Sequence, residues 1–211
     1  MLKKIVQIPI NSINLTGDLF IPKDCQQIVI FAHGSGSSRL SPRNVFVAEV
    51  LQKAGLGTLL FDLLTEKEDE IYENRFNIEL LAGRLQMATQ WLKKQFEIKN
   101  YKIDYFGAST GAAAALIAAA TLGDQIKAVV SRGGRPDLAM DFLVKVKAPT
   151  LLIVGGNDFE VIELNKQALA EIKAHKKLEI VPGATHLFEE PGTLEKVADL
   201  AANWFKKYLM V

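Results

Sequence analysis

Ile103-Asp104-Tyr105-Phe106-Gly107-Ala108-Ser109-Thr110-Gly111, continued by the alanine-rich run Ala112 to Thr121, decides how the rest of this chain is read. A largely apolar run that breaks at one glycine and becomes a series of small helix formers after a second predicts strand, sharp turn and helix. The spacing has a steric reason. A serine at the tip of so tight a turn sits in a strained backbone conformation, and strand and helix cross so closely that only hydrogen fits at Gly107 and Gly111. The strain lifts the Ser109 hydroxyl clear of the strand. It also puts the N–H of Thr110 at a helix N-terminus, beside any negative charge that develops on a group bonded to that hydroxyl.

On the N-terminal side, Lys3 to Ile10 and Leu15 to Phe20 read as two strands joined by the turn-prone Asn11-Ser12-Ile13-Asn14, an antiparallel edge. Ile28 to Ala32 is apolar throughout, as a strand buried on both faces must be, and it runs into His33-Gly34-Ser35-Gly36-Ser37-Ser38. Pro42 suits the first turn of a helix in which Val45, Phe46, Ala48, Glu49, Leu51 and Gln52 show helical spacing, with Gly55 as its stop. Strand Thr58 to Phe61 closes at Asp62. Thr65 to Glu73, with Glu66, Glu68, Asp69, Glu70 and Glu73, reads as a solvated surface loop; no histidine or cysteine accompanies the acids, so no metal site is expected there. Helix Ile78 to Phe96 buries Leu81, Leu85, Ala88 and Leu92.

Beyond the serine turn, Gly123 ends the alanine helix, Ala128 to Ser131 is a strand, and Arg132-Gly133-Gly134-Arg135-Pro136-Asp137 leaves it as a loop. Strand Thr150 to Val154 finishes in Gly155-Gly156-Asn157-Asp158, and a helix from Val161 to Lys173 leads to strand Lys177 to Val181 and the loop Pro182-Gly183-Ala184-Thr185-His186. The last helix, Thr193 to Tyr208, carries Leu194, Val197, Ala201 and Trp204 on one face. Such alternation predicts a right-handed, mostly parallel sheet with helices on both faces, in one domain over residues 1–211. The loops at the strand C-termini then build the site.

The bulk numbers narrow the function further. With 49% hydrophobic residues in 211, the chain is long enough for a sizeable core. Lys+Arg 25 against Asp+Glu 24 gives a net charge of +1, so no global field draws nucleic acid or an anionic membrane. The single cysteine, Cys25, has no partner for an internal disulfide, Met1-Leu2-Lys3-Lys4 precedes no apolar signal segment, and Ala112 to Leu122 is too short to span a bilayer. A cytoplasmic location is expected.

The expected strand ends collect the parts of an acyl-transfer site. Ser109 supplies a hydroxyl that needs a base, His186 stands at the end of a late strand, and Asp158, at the end of the strand before it, can hold the imidazole tautomer. Asp137 is a rival for that place. The chain order is Ser, Asp, His. On these residues the sequence resembles the α/β-hydrolase superfamily over nearly its whole length: His33-Gly34-Ser35-Gly36 matches the oxyanion loop, Gly107 to Gly111 the nucleophile elbow, Pro149 to Asp158 the acid strand and Pro182 to His186 the histidine loop. The compact length, without a long lid insertion, is most similar to the dienelactone-hydrolase-like branch and small carboxylesterases. Namesakes of that branch carry cysteine as nucleophile, where this chain has Ser109, so the resemblance implies the hydrolase class and no particular lactone.

What it implies is a serine hydrolase of the three-layer α/β-hydrolase fold that cleaves small esters or thioesters, with no cofactor and no metal. Catalytic Ser109, Asp158 and His186 are expected, and an oxyanion hole from the amides of Thr110 and Ser35. Gly34 and Arg132 are substrate-binding candidates, the arginine for an acidic group. Structural pairing of Arg132 and Arg135 with the acidic segment or with Asp137 is the plainer alternative. His33 is expected to brace the oxyanion loop, His175 to be exposed, Cys25 to be a small buried hydrophobe, and Trp91 and Trp204 to be packing residues. A non-catalytic binding module on the same fold and a peptidase are the rival functions. The partner expected is a small molecule; nothing in the sequence indicates an oligomer.

Overall fold

A computed structural model describes residues 1–95 and 101–208. One eight-stranded sheet runs through them in the order β1-β2-β4-β3-β5-β6-β7-β8. β1 (Leu2–Ile10) and β2 (Ile13–Ile21) form the expected antiparallel hairpin, with Asn11 at positive φ in its turn, and β2 also runs antiparallel to β4 (Gly57–Phe61). From β4 across β3 (Gln27–Ala32), β5 (Lys102–Ala108), β6 (Ile126–Arg132), β7 (Thr150–Gly155) and β8 (Lys176–Val181) every pairing is parallel. Every residue of β3, β4 and β7 is buried, the pattern of strands covered on both faces.

Helix α1 (Pro42–Lys53) starts at Ser41, whose Oγ accepts from Asn44 N–H, and it buries Asn44, Val47, Ala48 and Leu51. Val45 and Phe46, beside Val47, are only half-buried. α1 packs beside the last helix, α7 (Thr193–Lys207), over one face of the sheet, around Phe31, Phe106, Val130, Val197 and Phe205. The other face carries α3 (Ile78–Lys94) and α4 (Thr110–Leu122). Leu81, Leu85, Ala88 and Leu92 of α3 are buried as expected; Phe96, where the spacing placed its end, lies outside the described residues. α4 is buried all round from Thr110 to Ala119, so its alanines let helix, sheet and α3 approach closely. α6 (Phe159–Glu171) covers β7 and β8. No helix of the described residues is long and apolar enough to cross a membrane.

One expectation is corrected. Thr65 to Glu73 is not an open loop: Thr65 and Glu68 make a reciprocal capping box that starts a short helix, α2 (Glu66–Asp69), and Tyr72–Phe76 forms a 3₁₀ turn. Glu68 pairs with Arg84 of α3, and Asp69 receives two hydrogen bonds from the Arg75 fork, Nε to Oδ1 at 3.0 Å and Nη2 to Oδ2 at 2.9 Å. These acids are spent on arginines that periodicity could not connect to them. A second short helix, α5 (Met140–Leu143), follows β6.

Candidate active site

Ser109 stands between β5 and α4 at φ 52°, ψ −124°, in the left-handed region that a residue with a side chain adopts only under constraint. Two close approaches supply it. A Cβ at Gly107 would stand 2.8 Å from Ala112 N, and one at Gly111 would run into the carbonyl oxygens of Ala32 and His33. Strand β3 is thus pressed against the start of α4. Gly34 continues the contact, since a Cβ there would lie 3.0 Å from Ser109 Cβ.

His186 and Asp158 meet as partners. His186 Nδ1 lies 2.6 Å from Asp158 Oδ2, with the imidazole 38% exposed and the carboxylate 15%. Because the carboxylate only accepts, Nδ1 carries the hydrogen and Nε2 is free to take a proton. The two loops are stitched together behind the pair: Asn157 N–H donates to Ala184 O at 2.9 Å, Asn157 Nδ2 to Gly183 O at 3.0 Å, and Gly156 N–H to Val181 O at 2.8 Å. Asp137 is occupied elsewhere, holding Arg135 through two hydrogen bonds of 2.9 and 2.8 Å. No hydrogen bond joins the Ser109 hydroxyl to His186 among the described residues.

The remaining candidates fall less evenly. His33 accepts from Leu63 N–H at Nε2 (3.0 Å), which leaves Nδ1 as the donor to Gly34 O (2.9 Å); the ring ties the loops after β3 and β4 together, and burial holds its pKa below the ordinary value. Ser35 N–H, expected to face an oxyanion, donates to Thr110 Oγ1 at 2.9 Å. Arg132 is 6% exposed, turned towards α1, with Nη2 3.4 Å from Asn44 Oδ1 and its guanidinium 5.9 Å from the Phe188 ring centre. Burial lowers its pKa to about 10. It meets neither the acidic segment nor Asp137, whose carboxylates pair with Arg84, Arg75 and Arg135.

Sequence reasoning missed three supports. Gly133, at φ 52°, packs under His186, where a Cβ would be 3.1 Å from His186 O, and Arg135 N–H donates to Ser109 O at 3.1 Å, so the loop after β6 touches both functional turns through its backbone. Glu190 accepts from Thr185 N–H (3.0 Å) and Thr185 Oγ1 (2.7 Å) and bridles the histidine loop, which holds its carboxyl below the usual range. Arg75 reaches back from the 3₁₀ turn to lie within 3.9 Å of where a Cβ at Gly36 would stand. The outlying expectations hold: Cys25 is buried between Gln27 O and Gly57 N–H, His175 is exposed and stacked on Trp204, and Trp91 and Trp204 pack against the core.

A family model described as the dienelactone hydrolase family matches residues 42–209. The chain belongs to that family. A dienelactone hydrolase from Anabaena variabilis is 55% identical and superposes with a TM-score of 0.95 over 98% of both chains. Est1E from Butyrivibrio proteoclasticus superposes at 0.85 over 98% of this chain and 99% of that one; at 20% identity it speaks for the fold alone. A Mycobacterium tuberculosis protein named as a phosphoribosyl transferase is 57% identical over 204 residues, 97% of this chain but 46% of that protein. The chain therefore spans about half the length of the curated relatives it matches.

Proposed function

We propose that this dienelactone hydrolase family member is a serine hydrolase cleaving small carboxylic esters or thioesters through an acyl-enzyme on Ser109. The observation that carries this reading is the 2.6 Å contact between His186 Nδ1 and Asp158 Oδ2, set beside a serine in a strained strand-to-helix turn. His186 Nε2 takes the Ser109 proton as Oγ adds to the carbonyl, then gives it to the departing alcohol or thiol; water, activated the same way, resolves the acyl-enzyme. Asp158 fixes the tautomer and stabilises the imidazolium. The N–H of Thr110, at the start of α4, favours the oxyanion.

An apolar substituent on the substrate is compatible with exposed apolar residues on the segments that follow the strands, among them Leu40 after β3, Tyr72 after β4, Leu138 after β6 and Leu187 after β8. The name of the mycobacterial relatives describes proteins about twice as long, and nothing in the Ser109 site calls for a phosphoribosyl group. A cytoplasmic small-molecule substrate remains the expectation.

The test is labelling of wild type and Ser109→Ala by a fluorophosphonate, with turnover of a short p-nitrophenyl ester by both. Wild-type labelling and a drop in kcat of about 10⁶-fold in the variant are expected. A folded wild type that neither labels nor turns over moves the non-catalytic binding module to the front, and cleavage of aminoacyl amides alone points to a peptidase.

A further inference from the structure

The corner where an oxyanion is expected already contains an oxygen. Ser35 N–H, one of the two amides expected to bind the oxyanion, donates to the side chain of the residue that supplies the other: Thr110 Oγ1 lies 2.9 Å from Ser35 N. Thr110 is 4% exposed, and as the first residue of α4 its own N–H has no acceptor within the helix. Thr110 Oγ1 is thus set between two amides whose loops flank Ser109.

A hydroxyl that accepts one hydrogen bond still has a hydrogen to give. Elsewhere in this protein helical threonines give theirs to a carbonyl three or four residues back: Thr89 Oγ1 lies 2.8 Å from Leu85 O, Thr121 Oγ1 donates to Ile117 O at 3.0 Å, and Thr193, first in α7, donates to Glu190 O at 2.7 Å. Thr110 has no preceding helical turn, and among the described residues its hydroxyl has no acceptor. A buried donor without an acceptor is costly unless a ligand supplies one. A hydrogen bond received from an amide also polarises the hydroxyl and strengthens the bond it donates.

We propose that the Thr110 hydroxyl is itself a donor to the oxyanion, passing on the polarity of Ser35 N–H. The inference rests on Ser109 as nucleophile. As Ser109 Oγ forms its bond to the carbonyl carbon, the carbonyl π pair moves onto oxygen and the Ser109 proton moves to His186 Nε2; Thr110 keeps its proton throughout and only donates a hydrogen bond. When the leaving group departs with the proton from His186, the carbonyl re-forms and that bond weakens.

Thr110→Val keeps the shape and removes both the acceptor for Ser35 and the donor for the oxyanion, whereas Thr110→Ser keeps both. On a p-nitrophenyl ester, the valine variant should lose about 10²-fold in kcat, the scale for one oxyanion donor, with KM changed far less, and the serine variant should recover most of it. A trifluoromethyl ketone, whose serine adduct carries an oxyanion, should bind the valine variant more weakly by a similar factor. Melting curves of the three proteins separate this from a folding defect, because a merely structural role would lower stability without splitting kcat from KM. A valine variant as fast as wild type or faster overturns the proposal, since the hydroxyl would then only plug the Ser35 amide; so does a serine variant no better than valine. In both cases wild-type labelling by fluorophosphonate still stands and the Ser109 reading survives. A wild type that neither labels nor turns over removes both.

Discussion

β5 with its serine turn and the segment from Thr65 to Phe76 adjoin the same glycine loop after β3, one through Gly34 against Ser109 and the other through Arg75 beside Gly36, and they are held by opposite means. The serine turn is fixed by backbone wedged against backbone at Gly107 and Gly111, with no ion pair at either position. The segment after β4 is fixed by Thr65–Glu68 capping and by carboxylates on Arg75 and Arg84, with no buried residue in α2 or the 3₁₀ turn. Even their acids behave differently. Asp104 of β5 is fully buried, and burial pushes its carboxyl well above the usual range. A wedge tolerates salt and pH but no added atom; a clasp of charges tolerates added atoms but not screening.

The largest effect that would separate the two is Gly111→Ala. Its methyl has nowhere to go but into the Ala32 and His33 carbonyls, and a loss of about 3 kcal/mol, the upper range for overpacking, is expected in urea unfolding, unchanged by salt. A variant as stable as wild type would show that the turn is not wedged.

Asp104 gives a smaller effect with a definite sign. Its folded pKa lies above the unfolded value near 4, so the folded state binds the extra proton; the stabilisation is complete below about pH 4 and is lost as pH rises through the folded pKa. Melting temperature followed from pH 5 to 9 should fall, and Asp104→Asn should flatten that part of the slope. An unchanged slope in the variant would assign it to other groups.

Smallest is the clasp. Glu68→Gln weakens the pair with Arg84, whose side chains are 25% and 12% exposed, and the capping box with it. About 1 kcal/mol is expected at low salt, shrinking as ionic strength rises. An effect as large in 1 M salt as in 0.05 M would make the segment a packed element like the turn, and the contrast would fail.

The same contrast explains what could be read in advance. The serine turn was legible because its cause is local: glycine, serine and glycine at fixed spacing report a close approach whatever lies opposite. The helix contacts Leu81, Leu85, Ala88 and Leu92 followed from a period that burial imposes. The segment after β4 was legible as surface, but its short helix and its clasp were not, because a run of acids carries no sign of Arg84, which lies 16 residues beyond Glu68 and pairs with it. Arg132 stayed open between a substrate and a structural pair for a similar reason: a cation at a strand end carries no mark of which way it turns, and in the structure its Nη2 lies 3.4 Å from Asn44 Oδ1, 88 residues away.

The sequence by itself determined the strand and helix order, the mostly parallel sheet, and the presence of Ser109, Asp158 and His186 at the ends of its strands, because steric and periodic constraints between near neighbours are written residue by residue. Only the tertiary structure decided that Asp158 and not Asp137 meets His186, that Ser35 N–H is taken by Thr110, and that Gly133 and Glu190 hold the histidine loop. Those choices depend on hydrogen-bond partners brought together across the sheet, where a displacement of one ångström makes or removes a bond, and no local pattern encodes so short a distance.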